Sequence, residues 1–180
     1  MKKVVAILVL VFSMFLGTNV VSAQEFEKLN KSPMDAASYP SSYRETDKVV
    51  KVIYSRPQLK GRKINRLIRN GKIWRTGANE ATEITFYKDV EIAGKPVKAG
   101  TYTLYTIPGD DEWTIIINSA LNVWGSYMYN ESEDVVRVKG KVTKGQESLE
   151  AFSVAFTGED ENFTMHLGWG TTRVSVPFKG

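Results

Sequence analysis

The sequence predicts an all-β protein, a single antiparallel β-sandwich of jelly-roll type with one short helical turn. Three observations favour this fold class. β-branched and aromatic runs alternate at period two, Gly, Pro, Asn and Asp separate these runs, and no long stretch has helical periodicity. Between Phe163 and Trp169, for example, apolar residues alternate with Thr164, His166 and Gly168, which is typical of a strand with one buried face.

Eight strands are predicted in chain order, at residues 49–55, 81–90, 101–107, 113–118, 135–142, 149–156, 163–169 and 173–178. Residues 108–111, with the sequence PGDD, predict the turn between the third and fourth strands. The helical turn is predicted at residues 63–70, where Ile64, Leu67 and Ile68 have helical spacing and Gly71 ends it. Eight strands without long helices between them predict a sandwich or jelly roll.

The chain divides into three segments. Residues 1–23 have the pattern of a secretory signal peptide: Lys2 and Lys3, then an apolar run, then the small-residue cleavage site VSA. The apolar run is shorter than the roughly 18 residues that a membrane-spanning helix needs. Residues 24–47 predict an extended N-terminal arm, and residues 48–180 the sandwich domain. The mature chain would then begin at Gln24 in the periplasm or outside the cell, without membrane insertion.

Composition excludes several classes of function. The formal charge of +4 falls to +2 when residues 1–23 are removed, because they contain two of the 24 basic residues and none of the 20 acidic ones, so nucleic acid is not expected as a partner. The absence of cysteine excludes disulfides, thiolate metal sites and a cysteine nucleophile. His166 is the only histidine and is expected to point to solvent, which argues against Ser-His-Asp catalysis.

Metal and cofactor sites are not expected either. Three acidic runs, at residues 110–112, 131–134 and 159–161, lack the ligand spacing of a calcium loop and are interpreted as solvated turns. The sequence leaves the oligomeric state open.

Polar groups that strand packing does not require are concentrated in residues 54–62 and 71–80. The candidate ligand-binding residues there are Arg56, Arg62, Arg75, Asn79 and Glu80. Arginine presents a planar fork of donors that suits carboxylate, phosphate or sugar oxygens. The structural alternative is that Arg56 or Arg75 pairs with Glu80 and holds the loops over the sheet edge, and sequence spacing does not separate the two interpretations.

The four tryptophans divide into two kinds. Trp113 and Trp169 lie on apolar strand faces and are expected in the core. Trp124 and Tyr127 lie in the predicted loop 121–127 and are candidates for ligand contact, with simple loop packing as the alternative.

The chain resembles the exported bacterial family known as domain of unknown function 2911. The motifs that carry the resemblance are, in order, SPM, YP, SRP, KGR, GKIWRTGANEAT, AGTY, TIPG, EWTIIIN and the Trp-Gly pair at Trp124, so it covers nearly all of the mature chain. The resemblance implies export and a β-rich fold, not a reaction. Two departures stand out: NRLIRN follows Ile64 where members of the family carry FG and LVPY, and glycines flank Trp169 where many carry an acidic residue.

The function favoured by these observations is that of a non-enzymatic binding module for a small anionic or polyhydroxylated, carbohydrate-like ligand. The three arginines would bind ligand oxygens, Asn79 would orient the ligand, and Glu80 would accept hydroxyl protons or hold an arginine. One alternative is a hydrolase or lyase with Glu80 as general base and Arg75 stabilising negative charge, which requires a buried Glu80. Another is a structural envelope domain, in which Arg75 and Glu80 pair directly.

Overall fold

The computed structural model describes residues 25–180, so the predicted signal peptide lies outside the described residues. The strands are β1 (Met34–Tyr39), β2 (Val50–Ser55), β3 (Thr82–Phe86), β4 (Val90–Ile92), β5 (Lys95–Val97), β6 (Gly100–Ile107), β7 (Glu112–Asn118), β8 (Asp134–Glu159) and β9 (Asn162–Lys179). Two short 3-10 turns, Ile64–Arg66 and Glu131–Glu133, accompany them. The predicted all-β class, with one helical turn near residue 64, is confirmed.

All nine strands form one antiparallel sheet, in the order β1-β2-β3-β6-β7-β8-β9-β4-β5. The longest members are β8, with 26 residues, and β9, with 18, which form a single hairpin. The pairing between them is irregular from Lys144 to Ser153. Because such irregularities bend strands, the far half of the hairpin is able to leave the plane of the first half.

The far half of β8 returns to the other side of the sheet. There Gln58, just after β2, pairs with Ala151, and the amides of Leu59 and Phe152 donate across the same junction at 2.9 Å each. This contact joins strands that are far apart in the order of the sheet. The hairpin thus forms a second layer over the core, which gives the sandwich-like architecture.

An aromatic cluster fills the space between these layers. Trp74 stacks on Trp169 with ring centroids 5.7 Å apart and meets Trp113 and Phe152 edge-on at 5.9 and 5.1 Å. All four side chains are buried, as expected for Trp113 and Trp169. Large apolar rings of this kind contribute most of the burial energy of a small domain that has no disulfides.

The observed strands differ from the predicted ones in three places. β1, which pairs with β2 along six residues, lies inside the segment expected to be an extended arm. The strand predicted at residues 81–90 is two strands, β3 and the start of β4. The four strands predicted after residue 134 are the two long strands β8 and β9. Within residues 25–180, no helix is long and apolar enough to cross a membrane.

Candidate functional site

Arg56 holds protein groups on two strands. Its guanidinium donates to Asp35 Oδ2 at 2.9 Å, to the carbonyl oxygen of Phe152 at 3.1 Å and to Ser153 Oγ at 2.8 Å. The side chain is half-buried between β1 and the far half of β8. Three hydrogen-bond donors of the Arg56 guanidinium are therefore already used by protein acceptors.

Arg62 is likewise occupied by its own loop. Its Nε donates to the carbonyl oxygen of Leu59 at 2.8 Å, and a terminal nitrogen donates to that of Gln58 at 2.9 Å. These bonds stabilise the segment that joins β2 to β8. Arg62 and Arg56 thus lie at this junction, where each has a structural role.

The remaining candidates lie around the loop from Arg75 to Thr82, which has a strained backbone. Thr76 has a φ of +55° and Asn79 a φ of +59°. A positive φ is rare for any residue with a side chain and is a genuine outlier for β-branched threonine. The hydroxyl of Thr82 donates to the carbonyl oxygen of Thr76 at 2.8 Å and the amide of Thr82 to that of Arg75 at 3.1 Å, so the loop is closed at its base. Strain of this kind is concentrated at functional sites in proteins.

A second loop, residues 119–130, lies against the first. The amide of Ala81 donates to the carbonyl oxygen of Val123 at 2.9 Å, and the amide of Gly125 to that of Asn79 at 3.0 Å. Between these bonds Glu80 and Trp124 form an isolated antiparallel pair. Residues directly opposite in an antiparallel pair project from the same face, so Glu80 and Trp124 present their side chains on one side of the paired loops.

The tip of the second loop exposes large aromatic side chains. Trp124 is 59% exposed and Tyr127 is 82% exposed. Gly125 has a φ of +69°, and a Cβ atom there would lie 2.8 Å from the Tyr127 ring. Glycine is required at this position both by the backbone angle and by the ring over it. We call the surface formed by Asn79, Glu80, Trp124 and Tyr127 the loop face.

Hydrogen bonds at the base of the second loop hold its tip in place. Asn118, which is fully buried, donates to the carbonyl oxygen of Asn130 at 3.1 Å and to Asp134 Oδ1 at 2.8 Å. The Tyr129 hydroxyl donates to Asp134 Oδ2 at 2.7 Å, and burial together with this carboxylate raises the pKa of Tyr129. Asp134 is thus a buried hydrogen-bond acceptor, and the interpretation of residues 131–134 as a solvated turn is wrong at this residue.

A cavity of about 360 Å³ opens beside the loop face. Glu80 and Glu83 line it together with Met34, Ile53 and Val123. Glu83 accepts a bond from the amide of Asn122 at 3.2 Å. The walls of the cavity are mostly apolar with a few polar groups, which is the usual composition of a small-molecule site. Sequence reasoning missed Met34 because β1 was not predicted, and missed Ile53 because it was assigned only to a strand.

Arg75 lies next to this loop with one donor unused. Its Nε atom is buried and has no hydrogen-bond partner among residues 25–180. No ion pair within the same residues joins Arg75 to Glu80. The direct pairing expected for a purely structural cluster is therefore not observed.

The loop face lacks the burial that a general base requires. Glu80 is exposed to solvent, whereas a carboxylate acting as a base near neutral pH needs an environment that raises its pKa. An exposed carboxylate on the same face as an exposed indole is suited instead to accept hydrogen bonds from the hydroxyls of a ligand that lies against the ring.

Comparison with known proteins gave one family. The family model described as "Protein of unknown function (DUF2911)" matches residues 32–178. This match confirms the resemblance found in the sequence motifs. No curated protein and no solved structure matched the chain.

Proposed function

Because the chain belongs to the DUF2911 family, whose description names no activity, we propose a function from the geometry of its own surface. The protein is an exported, non-enzymatic binding module, and its ligand is a small polyhydroxylated molecule of carbohydrate type bound at the loop face. Export rests on the signal-peptide pattern of residues 1–23.

The observation that carries the proposal is the pairing of Glu80 with the exposed Trp124. The indole offers a flat apolar surface for a sugar ring, and the neighbouring carboxylate accepts hydrogen bonds from ring hydroxyls. The strained backbone at Thr76 and Asn79 and the bonded base of the second loop hold these groups in place without a ligand. A site that is already ordered loses little entropy on binding.

Charge favours the polyhydroxylated ligand over an anionic one at this face. Glu80 and Glu83 both line the adjacent cavity, and a carboxylate there would repel an anion. Arg56 and Arg62, which were expected to attract an anion, donate their hydrogen bonds to protein groups. Asn79 and Arg75 remain as neighbouring groups whose donors would complement the carboxylates.

The proposal predicts that Trp124→Ala weakens saccharide binding about tenfold or more, because loss of the stacking surface removes about 1.4 kcal/mol. The mature chain, residues 24–180, is screened on a glycan array, and affinities for the glycans retained are measured by isothermal titration calorimetry, a readout that does not depend on the Trp124 indole.

Tyr87→Ala is the matched control, because Tyr87 is also exposed, at 51%, and is absent from the cavity lining. This variant should bind as the unchanged protein does. Unaltered binding by Trp124→Ala, or retention of no glycan at all, would refute the proposal.

A further inference from the structure

A second cavity lies apart from the loop face. It measures about 530 Å³ and opens where the 3-10 turn Ile64–Arg66, the β6–β7 turn and the irregular part of the β8–β9 hairpin meet. Its volume is in the usual range for small-molecule sites. It shares no lining residue with the cavity beside Glu80, so a ligand bound here would not depend on the loop face.

Hydrogen bonds fix the walls of this cavity on both sides. On one side Asn70 Nδ2 donates to Asp110 Oδ1 at 2.6 Å, and the amide of Gly71 donates to the carbonyl oxygen of Pro108 at 2.9 Å. The first turn is thereby tied to the β6–β7 turn.

On the other side Arg173 ties the irregular parts of β8 and β9 together. Its guanidinium donates to the carbonyl oxygens of Gly170 and Thr172 at 2.9 Å each and to that of Glu147 at 2.7 Å. A Cβ atom at position 145 would lie 2.7 Å from the Arg173 guanidinium carbon, so Gly145 leaves room for this tie. The opposing walls are therefore formed before any ligand binds.

The charge of the lining is positive. Arg69 and Lys144 both line the cavity, and neither takes part in an ion pair within residues 25–180. The one carboxylate of the lining, Asp110, accepts the bond from Asn70. Two cations against one carboxylate favour a ligand group that is an oxyanion.

The rest of the lining suits a hydroxylated ring. Thr143, Thr171 and Thr172 bring hydroxyl groups, and the small exposed part of Trp113, whose side chain is 4% exposed, also belongs to the lining. Hydroxyls donate and accept, so they match ring hydroxyls, and the exposed part of the indole adds a small apolar contact. We propose that this cavity binds a small hydroxylated molecule that carries one oxyanion group, such as a sugar acid or a sugar phosphate.

The test is a titration of the isotope-labelled mature chain followed by amide and indole nuclear magnetic resonance. The probes are D-glucuronate, glucose 6-phosphate and, as the uncharged comparison, D-glucose. The two anionic sugars should shift the Trp113 indole and the amides of Asn70, Lys144 and Thr172, and should bind at least about tenfold more tightly than glucose.

The double variant Arg69→Gln/Lys144→Gln removes both cations and should weaken binding of the anionic sugars about tenfold or more. Arg66→Gln/Lys141→Gln is the matched control, because it changes the net charge equally on neighbouring positions that do not line the cavity. It should bind as the unchanged protein does.

The inference would be overturned if the two anionic sugars caused no chemical-shift changes, or changes only at residues outside this cavity. It would also be overturned if the two double variants weakened binding of the anionic sugars equally. Trp124→Ala should leave this binding intact. Failure here is thus distinguishable from failure of the proposed function.

Discussion

At the scale of single residues, the strained Thr76 shows how side-chain bonds maintain the loop face. Its hydroxyl lies 3.2 Å from Thr106 Oγ1, and its carbonyl oxygen accepts the bond from Thr82. Thr76 and Thr82 are both buried, so water does not replace these partners. A left-handed threonine costs about 1–3 kcal/mol and persists only when its surroundings determine the conformation.

Removal of the Thr82 hydroxyl tests this closure of the loop. Thr82→Val removes the hydroxyl but keeps the shape, and leaves the buried carbonyl of Thr76 unpaired. The free energy of unfolding in urea should fall by about 1–3 kcal/mol. Thr85→Val on the same strand removes an exposed hydroxyl bond to Thr101 and should stay within about 0.5 kcal/mol. Equal losses in the two variants would contradict a special role for Thr82.

His166 gives a prediction of pH dependence. The ring is half-buried, with Thr157 Oγ1 at 2.7 Å from Nε2 and Ser175 Oγ at 3.1 Å from Nδ1, where a fully solvent-directed ring was expected. Burial lowers its pKa below the ordinary value of 6.5. The unfolded chain then binds the proton more readily than the native protein, so stability should fall as the pH drops through 6.5 toward the native pKa.

His166→Gln removes the only histidine of the chain. The difference in unfolding free energy between about pH 7.5 and about pH 5.5 should therefore be smaller in the variant than in the unchanged protein. A pH dependence that is the same in both would show that burial of His166 does not contribute.

At the scale of elements, β1 is a strand that sequence patterns do not predict. Its sequence MDAASY has little β-branched or aromatic content, and only its last residue is buried. It is a strand because its backbone pairs with β2 and because Tyr39 stacks on Phe163, with centroids 4.3 Å apart. Both causes are contacts between distant parts of the chain, which local propensity does not encode.

Arg56 attaches β1 and β2 to the hairpin, and its removal tests this attachment. Arg56→Ala breaks the bonds to Asp35, to Ser153 and to the carbonyl oxygen of Phe152, and should lower the unfolding free energy by about 1–2 kcal/mol. Hydrogen exchange of the β1 amides should also accelerate. Arg66→Ala, on an exposed turn, should change stability by less than about 0.5 kcal/mol. Unchanged exchange in β1 would be inconsistent with this role of Arg56.

The long strands β8 and β9 illustrate a second limit of sequence patterns. The sequence predicts separate strands at residues 135–142 and 149–156 and makes no assignment for residues 143–148 between them. Pairing of Lys144 with Thr172 and of Leu149 with Gly170 instead continues the hairpin through an irregular stretch. Polar residues such as Lys144 and Gln146 occur there because the strand is bent and exposed, not because it ends.

At the scale of the whole molecule, the all-β class and most strand positions were predictable because burial on one face imposes period two. The candidate residues were predictable only in part. Glu80 and Trp124 meet through a pairing of two loops, whereas Arg56 and Arg62 face protein carbonyls. Residue type indicates which side chains are able to bind ligand oxygens. The folded chain decides which of their hydrogen-bond donors are already occupied by protein carbonyl oxygens.

The proposed export concerns the whole chain and is tested separately. Protein recovered from the extracytoplasmic fraction of a bacterial host should begin at Gln24, as determined by intact mass. Ala23→Leu replaces the small residue before the cleavage site and should leave the precursor uncleaved. Processing of that variant at the same bond, or retention of the unchanged chain in the cytoplasm, would contradict the export assignment.

The central claim is that the loop face holds a polyhydroxylated ligand against Trp124. The most direct measurement is a crystal structure of residues 24–180 soaked with a glycan that the array retains. We expect ligand density along the exposed indole of Trp124, with a hydroxyl within hydrogen-bond distance of a Glu80 carboxylate oxygen. Density for that glycan at another surface, with the Trp124 indole bare, would contradict it.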